Sequence, residues 1–274
     1  MGQYILCTGE LAKHPFIIRE LGLRIYSGEE LSYYIYHNLA LIDSSFLTNE
    51  LVSFLDYELG LRECANKIRK LEETITVPST LLNQVLLTIL REVHYFSDAE
   101  MAEFNTNLEE FRKKTEMERL LLRGDALLER NKCTSAIRVY EQYLTQGEAM
   151  GLKQEEKEKA WQHLAGVYMR MYLYDKGLSC LKKAYEVRAD QDILKQMYFL
   201  SIYQDVDLPA DFFTIESPET LNDWYEEYHK LETSVSEEMK NSRVSVIMTR
   251  DSLKREKELK EYLENLKREY RENE

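Results

Sequence analysis

Residues 158–191 read EKAWQHLAGVYMRMYLYDKGLSCLKKAYEVRADQ, and their spacing decides the fold. Trp161, Leu164, Ala165 and Tyr168 recur along one face at helical spacing. Tyr174, Gly177, Leu178, Leu181, Ala184 and Tyr185 do the same, so the segment predicts two helices, each with one apolar stripe. Small residues such as Ala165 and Gly177 let two helices approach closely, while Trp161 and Tyr168 fill the gaps that remain. Residues 117–150 repeat this order with Leu120, Gly124 and Leu127, then Cys133, Ala136, Ile137, Tyr140 and Leu144. Corresponding positions, as in Leu120 and Trp161, lie 41 residues apart. In a 34-residue frame this leaves about seven extra residues, expected to lengthen the connection between Gly147 and Lys157.

Both stretches resemble the tetratricopeptide repeat, 158–191 closely and 117–150 more loosely, because Arg123 stands where the family has Leu and Tyr143 where it has Ala. The resemblance implies an all-α protein of stacked antiparallel helical hairpins, a short right-handed α-solenoid. It also implies a concave surface, formed by the first helix of each repeat, that holds a partner peptide or helix. The positions matching that surface are Leu121, Asp125, Leu128 and Glu129 in one frame and Lys159, Gln162, Gly166, Met169 and Arg170 in the next, with His163 beside them. They lack the Lys/Asn clamp by which some members grip a partner's terminal carboxylate, which argues against chaperone-tail binding. Two repeats are too few for a stable stack, so flanking helices must supply the remaining walls. The helix expected over 192–204 is either the start of a third unit or a cap.

The N-terminal half, residues 1–115, matches no family by its residues and reads as helical from Ser27 onward. Ser27-Gly28-Glu29-Glu30 forms a capping box. It is followed by Leu31, Tyr34, Ile35, Asn38 and Leu41/Ile42 at helical spacing. A second helix is expected over 49–59, stopping at Gly60, and a third carries Leu61, Cys64, Ala65, Ile68 and Leu71. Ser79 is expected to cap a fourth, whose Leu81, Leu82, Val85, Leu86, Ile89, Leu90 and Val93 make a face wide enough to be buried on most sides. Residues 3–26 stay mixed, with Tyr4–Cys7 as a short strand candidate interrupted beyond by Gly9, Pro15 and Gly22.

Ten Gly and four Pro in 274 residues, against roughly 19 and 14 at average usage, argue against a turn-rich β fold. A net charge of −13 repels phosphate backbones, and the first 60 residues hold Lys13, Arg19 and Arg24 against eight acidic residues, so nucleic acid is an unlikely class of partner. No stretch approaches the ~18 apolar residues of a membrane span, and the start lacks a signal peptide's basic region. Cys7, Cys64, Cys133 and Cys180 are too widely spaced for a metal knuckle or a dense disulfide framework and read as small buried hydrophobes of a cytoplasmic protein.

Residues 208–274 form a C-terminal arm. From Pro218, Leu221, Trp224, Tyr228, Leu231, Val235 and Met239 make a narrow seam, and a last helix after Thr249 carries eight basic and eight acidic residues in 26. This arm either lies on the repeats as a salt-bridged helix or pairs through its seam with a second copy, as in a homodimer, or with another protein. No Walker loop, GxGxxG, HExxH or GxSxG occurs, and Glu226-x-x-His229 alone is too little for a metal site, so no catalytic residue, cofactor or metal ligand is nominated. The expected function is a non-catalytic interaction adaptor or scaffold binding a protein or peptide. The alternatives are a peptide-sensing regulator that binds and inhibits another protein, and an enzyme of unfamiliar type.

Overall fold

Three helices begin at a hydroxyl residue followed three places later by glutamate: Ser27 with Glu30, Ser97 with Glu100, and Thr115 with Glu118. In the first, the Glu30 amide donates to Ser27 Oγ at 3.1 Å and the Ser27 amide donates to Glu30 Oε2 at 3.2 Å. Two donors with no partner inside the helix are thereby satisfied. The computed structural model, which describes residues 7, 9–204, 208, 212 and 216–272, is mostly α-helical. It divides into one unit through Arg188 and another from Ala189.

The first unit opens with a short antiparallel hairpin, β1 (Phe16–Ile18) and β2 (Leu23–Ile25), so that residues 9–26 combine strand and irregular backbone. The strand considered at Tyr4–Cys7 lies outside the described residues except for Cys7. Helix α1 (Gly28–His37) stops earlier than its periodicity predicts. The Asn38 side-chain amide donates to the Tyr34 carbonyl at 2.8 Å, and Leu39–Leu41 tighten into a 3₁₀ turn. The helix expected over 49–59 is likewise divided, into α2 (Asn49–Ser53) and a π turn over Phe54–Glu58. The Leu59 amide reaches back five residues to the Phe54 carbonyl, and Phe54, Leu55 and Leu59 are all buried. Gly60 ends it at φ +67°, a conformation that costs a residue with a Cβ.

Helices α3 (Arg62–Thr74), α4 (Pro78–Val93) and α5 (Asp98–Lys113) complete this region. Val85, Leu86, Ile89 and Leu90 of α4 are buried in one core with Leu31 and Ile35 of α1, Ile68 of α3 and Phe104 and Leu108 of α5. Ser79 is not the cap of α4. Val77 occupies the cap position and Pro78 the first helical turn, where its missing N–H costs nothing.

Helices α6 (Glu116–Glu129), α7 (Cys133–Met150), α8 (Gln154–Arg170) and α9 (Tyr174–Val187) follow, and each packs on the next. The extra residues expected in the connection lengthen helices instead: α7 runs to Met150 and α8 begins at Gln154. Buried Glu158 of α8 is held by Arg188 Nε at 2.6 Å and by Gln162 Nε2 at 2.8 Å, so the charge is compensated. Of the cysteines, Cys64 and Cys180 are buried, while Cys7 and Cys133 are half-buried, and no disulfide joins any of them.

The second unit holds α10 (Gln191–Gln204), α11 (Pro218–Asn241), α12 (Arg243–Met248) and α13 (Ser252–Glu272). Tyr198 of α10 packs on Phe212 and Trp224, and Phe199 meets Tyr228 edge-on. Lys195 pairs with Glu227 at 2.6 Å. Beyond Tyr228 the α11 seam is open: Leu231, Val235 and Met239 are 52%, 54% and 67% exposed. Among the described residues no helix is long and apolar enough to cross a membrane.

Candidate functional site

The site is built on an absent side chain. A Cβ on Gly124 of α6 would stand 2.7 Å from Cε1 of Tyr140, so glycine lets the α7 ring approach the α6 backbone closely. Tyr140 is fully buried there. Its hydroxyl donates to Asp125 Oδ1 at 2.6 Å, and His163 Nδ1 lies 2.8 Å from the same oxygen. An ionised carboxylate only accepts hydrogen bonds, so Nδ1 carries the proton. The His163 ring also meets the Tyr140 ring edge-on, with centroids 5.7 Å apart. Thus a small residue on α6 admits a ring from α7, the ring fixes a carboxylate on α6, and the carboxylate fixes an imidazole on α8.

Electrostatics follow from this geometry. Partial burial acts against the Asp125 carboxylate, but the hydrogen bonds from His163 and Tyr140 outweigh it and hold the group below its ordinary value. Burial, followed by the bond to Asp125, pushes the Tyr140 phenol far above its usual range. The phenol stays protonated and spent on Asp125, which makes it a wall of the site and a poor proton donor to anything else.

In front of this network α6 and α8 enclose a groove of about 340 Å³, lined by Asp125, Leu128 and Glu129 of the first and Gln162, His163, Gly166 and Arg170 of the second. Arg170 Nη1 donates to the Leu128 carbonyl at 3.0 Å and ties the groove's end together. Three positions named from the sequence stand outside the lining. Leu121 is half-buried, Lys159 is exposed and paired with Glu155 at 3.3 Å, and Met169 faces Gly177 of α9, where a Cβ would come within 3.0 Å of its Cγ. Sequence reasoning assigned Tyr140 a packing role only. Its hold on Asp125 links residues 15 apart on different helices, which no local period reports.

His229, weighed above as a ligand, is engaged on its own helix, with Nδ1 2.9 Å from Glu232 and Nε2 3.0 Å from the Tyr225 hydroxyl. Arg123, the departure from the repeat pattern, also has a visible reason: it forms ion pairs with Glu20, at 2.7 Å, and with Asp43. Compared with protein-family models, with curated proteins and with solved structures, the chain matches none.

Proposed function

We propose that the chain is a non-catalytic adaptor in which α6–α9 stack as two antiparallel hairpins of the tetratricopeptide kind, a short right-handed solenoid that presents the α6/α8 groove to a peptide or helix of a partner protein. The observation that carries this reading is the convergence of six residues, nominated from matching positions of two repeat frames, with His163 beside them, on one cavity. The groove's inner wall is already ordered by the Asp125 network, so binding would cost little rearrangement. Leu128 offers an apolar contact, and Glu129 is exposed with no hydrogen bond or ion pair among the described residues. The partner segment therefore carries an apolar anchor and a Lys or Arg, and the net charge of −13 favours its encounter.

Gly166 supplies the test. A Cβ there meets nothing within 4 Å, so Gly166→Phe starts from an open position and places its ring in the groove. A displayed library of 15-residue peptides selected on the full chain should return basic, apolar sequences whose binding is lost in Gly166→Phe and weakened roughly tenfold in Glu129→Lys. Selected peptides that bind both variants as well as the parent would refute the reading. In the second unit, we propose that the open α11 seam pairs two copies of the chain.

A further inference from the structure

A second cavity, of about 620 Å³, opens in the first unit between the 3₁₀ turns after α1 and the helices α4, α5 and α6. Its volume falls in the range of small-molecule pockets, roughly 300–1,000 Å³. The floor is hydrocarbon, from Leu82 and Leu86 of α4, Leu108 of α5 and Leu120 of α6. Three arginines also line it, a concentration of positive charge unexpected in so acidic a chain.

The arginines are not equivalent. Arg123 is spent on Glu20 and Asp43, and Arg112 pairs with Glu109 at 2.8 Å. Arg119 makes no side-chain hydrogen bond or ion pair among the described residues, and its Nε is buried without a partner. Orphaned buried donors are rare because the lost hydration is uncompensated. The first turn of α4 lines the same cavity through Pro78 and Ser79 and has no side-chain cap, so its positive end also faces the space. The acids in the lining do not neutralise Arg119: Asp43 is bound to Arg123 and Ser45, and Glu116 sits exposed on the first turn of α6.

We infer that this cavity is a binding site for a small amphipathic monoanion, a carboxylate head on Arg119 with a hydrocarbon tail on the leucine floor. One unpaired guanidinium balances one negative charge, which favours a carboxylate over a doubly charged phosphate. This site is separate from the α6/α8 groove and does not rest on the adaptor reading.

The test is calorimetric titration of the full chain with sodium decanoate, with decanol, acetate and inorganic phosphate as comparison probes. Decanoate should bind one to one, and each comparison probe at least roughly tenfold more weakly, since each lacks the head, the tail or the single charge. Arg119→Gln should weaken decanoate roughly tenfold or more while Arg119→Lys retains most of the affinity. Ser79→Glu provides a variant independent of Arg119: an acid in the first turn suits the α4 dipole, so the fold is kept, yet it repels the head group. Gly166→Phe should leave decanoate binding unchanged. Absence of saturable binding, decanol binding as tightly as decanoate, undiminished affinity in both Arg119→Gln and Ser79→Glu, or loss in Gly166→Phe would each overturn the assignment.

Discussion

Tyr140 and Leu231 are both large side chains at regular helical positions, yet the first is wholly buried against a glycine and the second is half open to solvent. The contrast extends to their surroundings. In α6–α9 the large residues have small ones opposite them, Gly124 beneath Tyr140 and Gly177 beneath Met169. In α11–α13, Leu231, Val235, Met239, Leu253, Leu263 and Leu266 are all exposed, and among the described residues Trp224 and Ile247 are the buried large ones. Apolar periodicity alone therefore establishes a helix. Whether its stripe is covered depends on a complementary surface of small residues, which α6–α9 carry and α11–α13 do not.

Truncation at these two positions is expected to give the largest difference. Tyr140→Ala removes a fully buried ring and its hydroxyl bond and should cost about 3–5 kcal/mol, whereas Leu231→Ala should stay within about 0.5 kcal/mol. Urea unfolding at low protein concentration measures both, and equal losses would erase the distinction. Gly124→Ala comes next. The added methyl stands 2.7 Å from the ring, so the ring or helix must shift, at about 1–3 kcal/mol. Stabilisation by this change, as ordinary helix propensity would give, would show that the close approach is slack.

How far such features were legible in the sequence divides along the same line. Gly124 and Tyr140 were visible as a small and a large residue at the right offsets, and the Ser27/Glu30 box marked its helix start directly, because these signals lie within one turn or one repeat. Where backbone geometry is settled by what the chain packs against, the local signal failed. Phe54, Leu55 and Leu59 bury together through a π turn where plain periodicity predicts an unbroken helix, and Pro78 takes the helix start that the sequence assigns to Ser79. The groove residues were reachable through repeat positions. The Asp125–His163 contact and the Arg119 cavity were not, since they join residues from several helices, although the unusual Arg123 was a sign that charge had been placed there deliberately.

A smaller effect tests whether the groove network is set as described. Asp125→Asn keeps the shape but removes the charge, and should cost about 1 kcal/mol at pH 7. Because the Asp125 carboxyl titrates lower in the folded than in the unfolded chain, its contribution is complete above the unfolded value of about 3.9 and is lost as the pH falls through the folded one. The stability contribution of the carboxylate should therefore be complete down to about pH 5 and shrink progressively below about pH 4. A difference between parent and variant that does not shrink at all as the pH falls below about 4 would mean that the carboxylate's hydrogen bonds to His163 and Tyr140 are not its source.

The least change in folding stability is expected from the α11 seam, and there the informative variable is protein concentration. Leu231→Ser with Val235→Ser removes two exposed apolar residues, so in dilute solution the shift should be within about 0.5 kcal/mol. If two copies pair through the seam, as proposed, the folded state is stabilised by mass action and the melting temperature of the parent rises with concentration. The double variant should lose that rise and sediment as a single species where the parent shows two. A parent whose melting temperature is independent of concentration would leave the seam unpaired. The stripe on α11 would then be a solvated helix face, and the contrast with Tyr140 would be one between a covered surface and one that needs no cover.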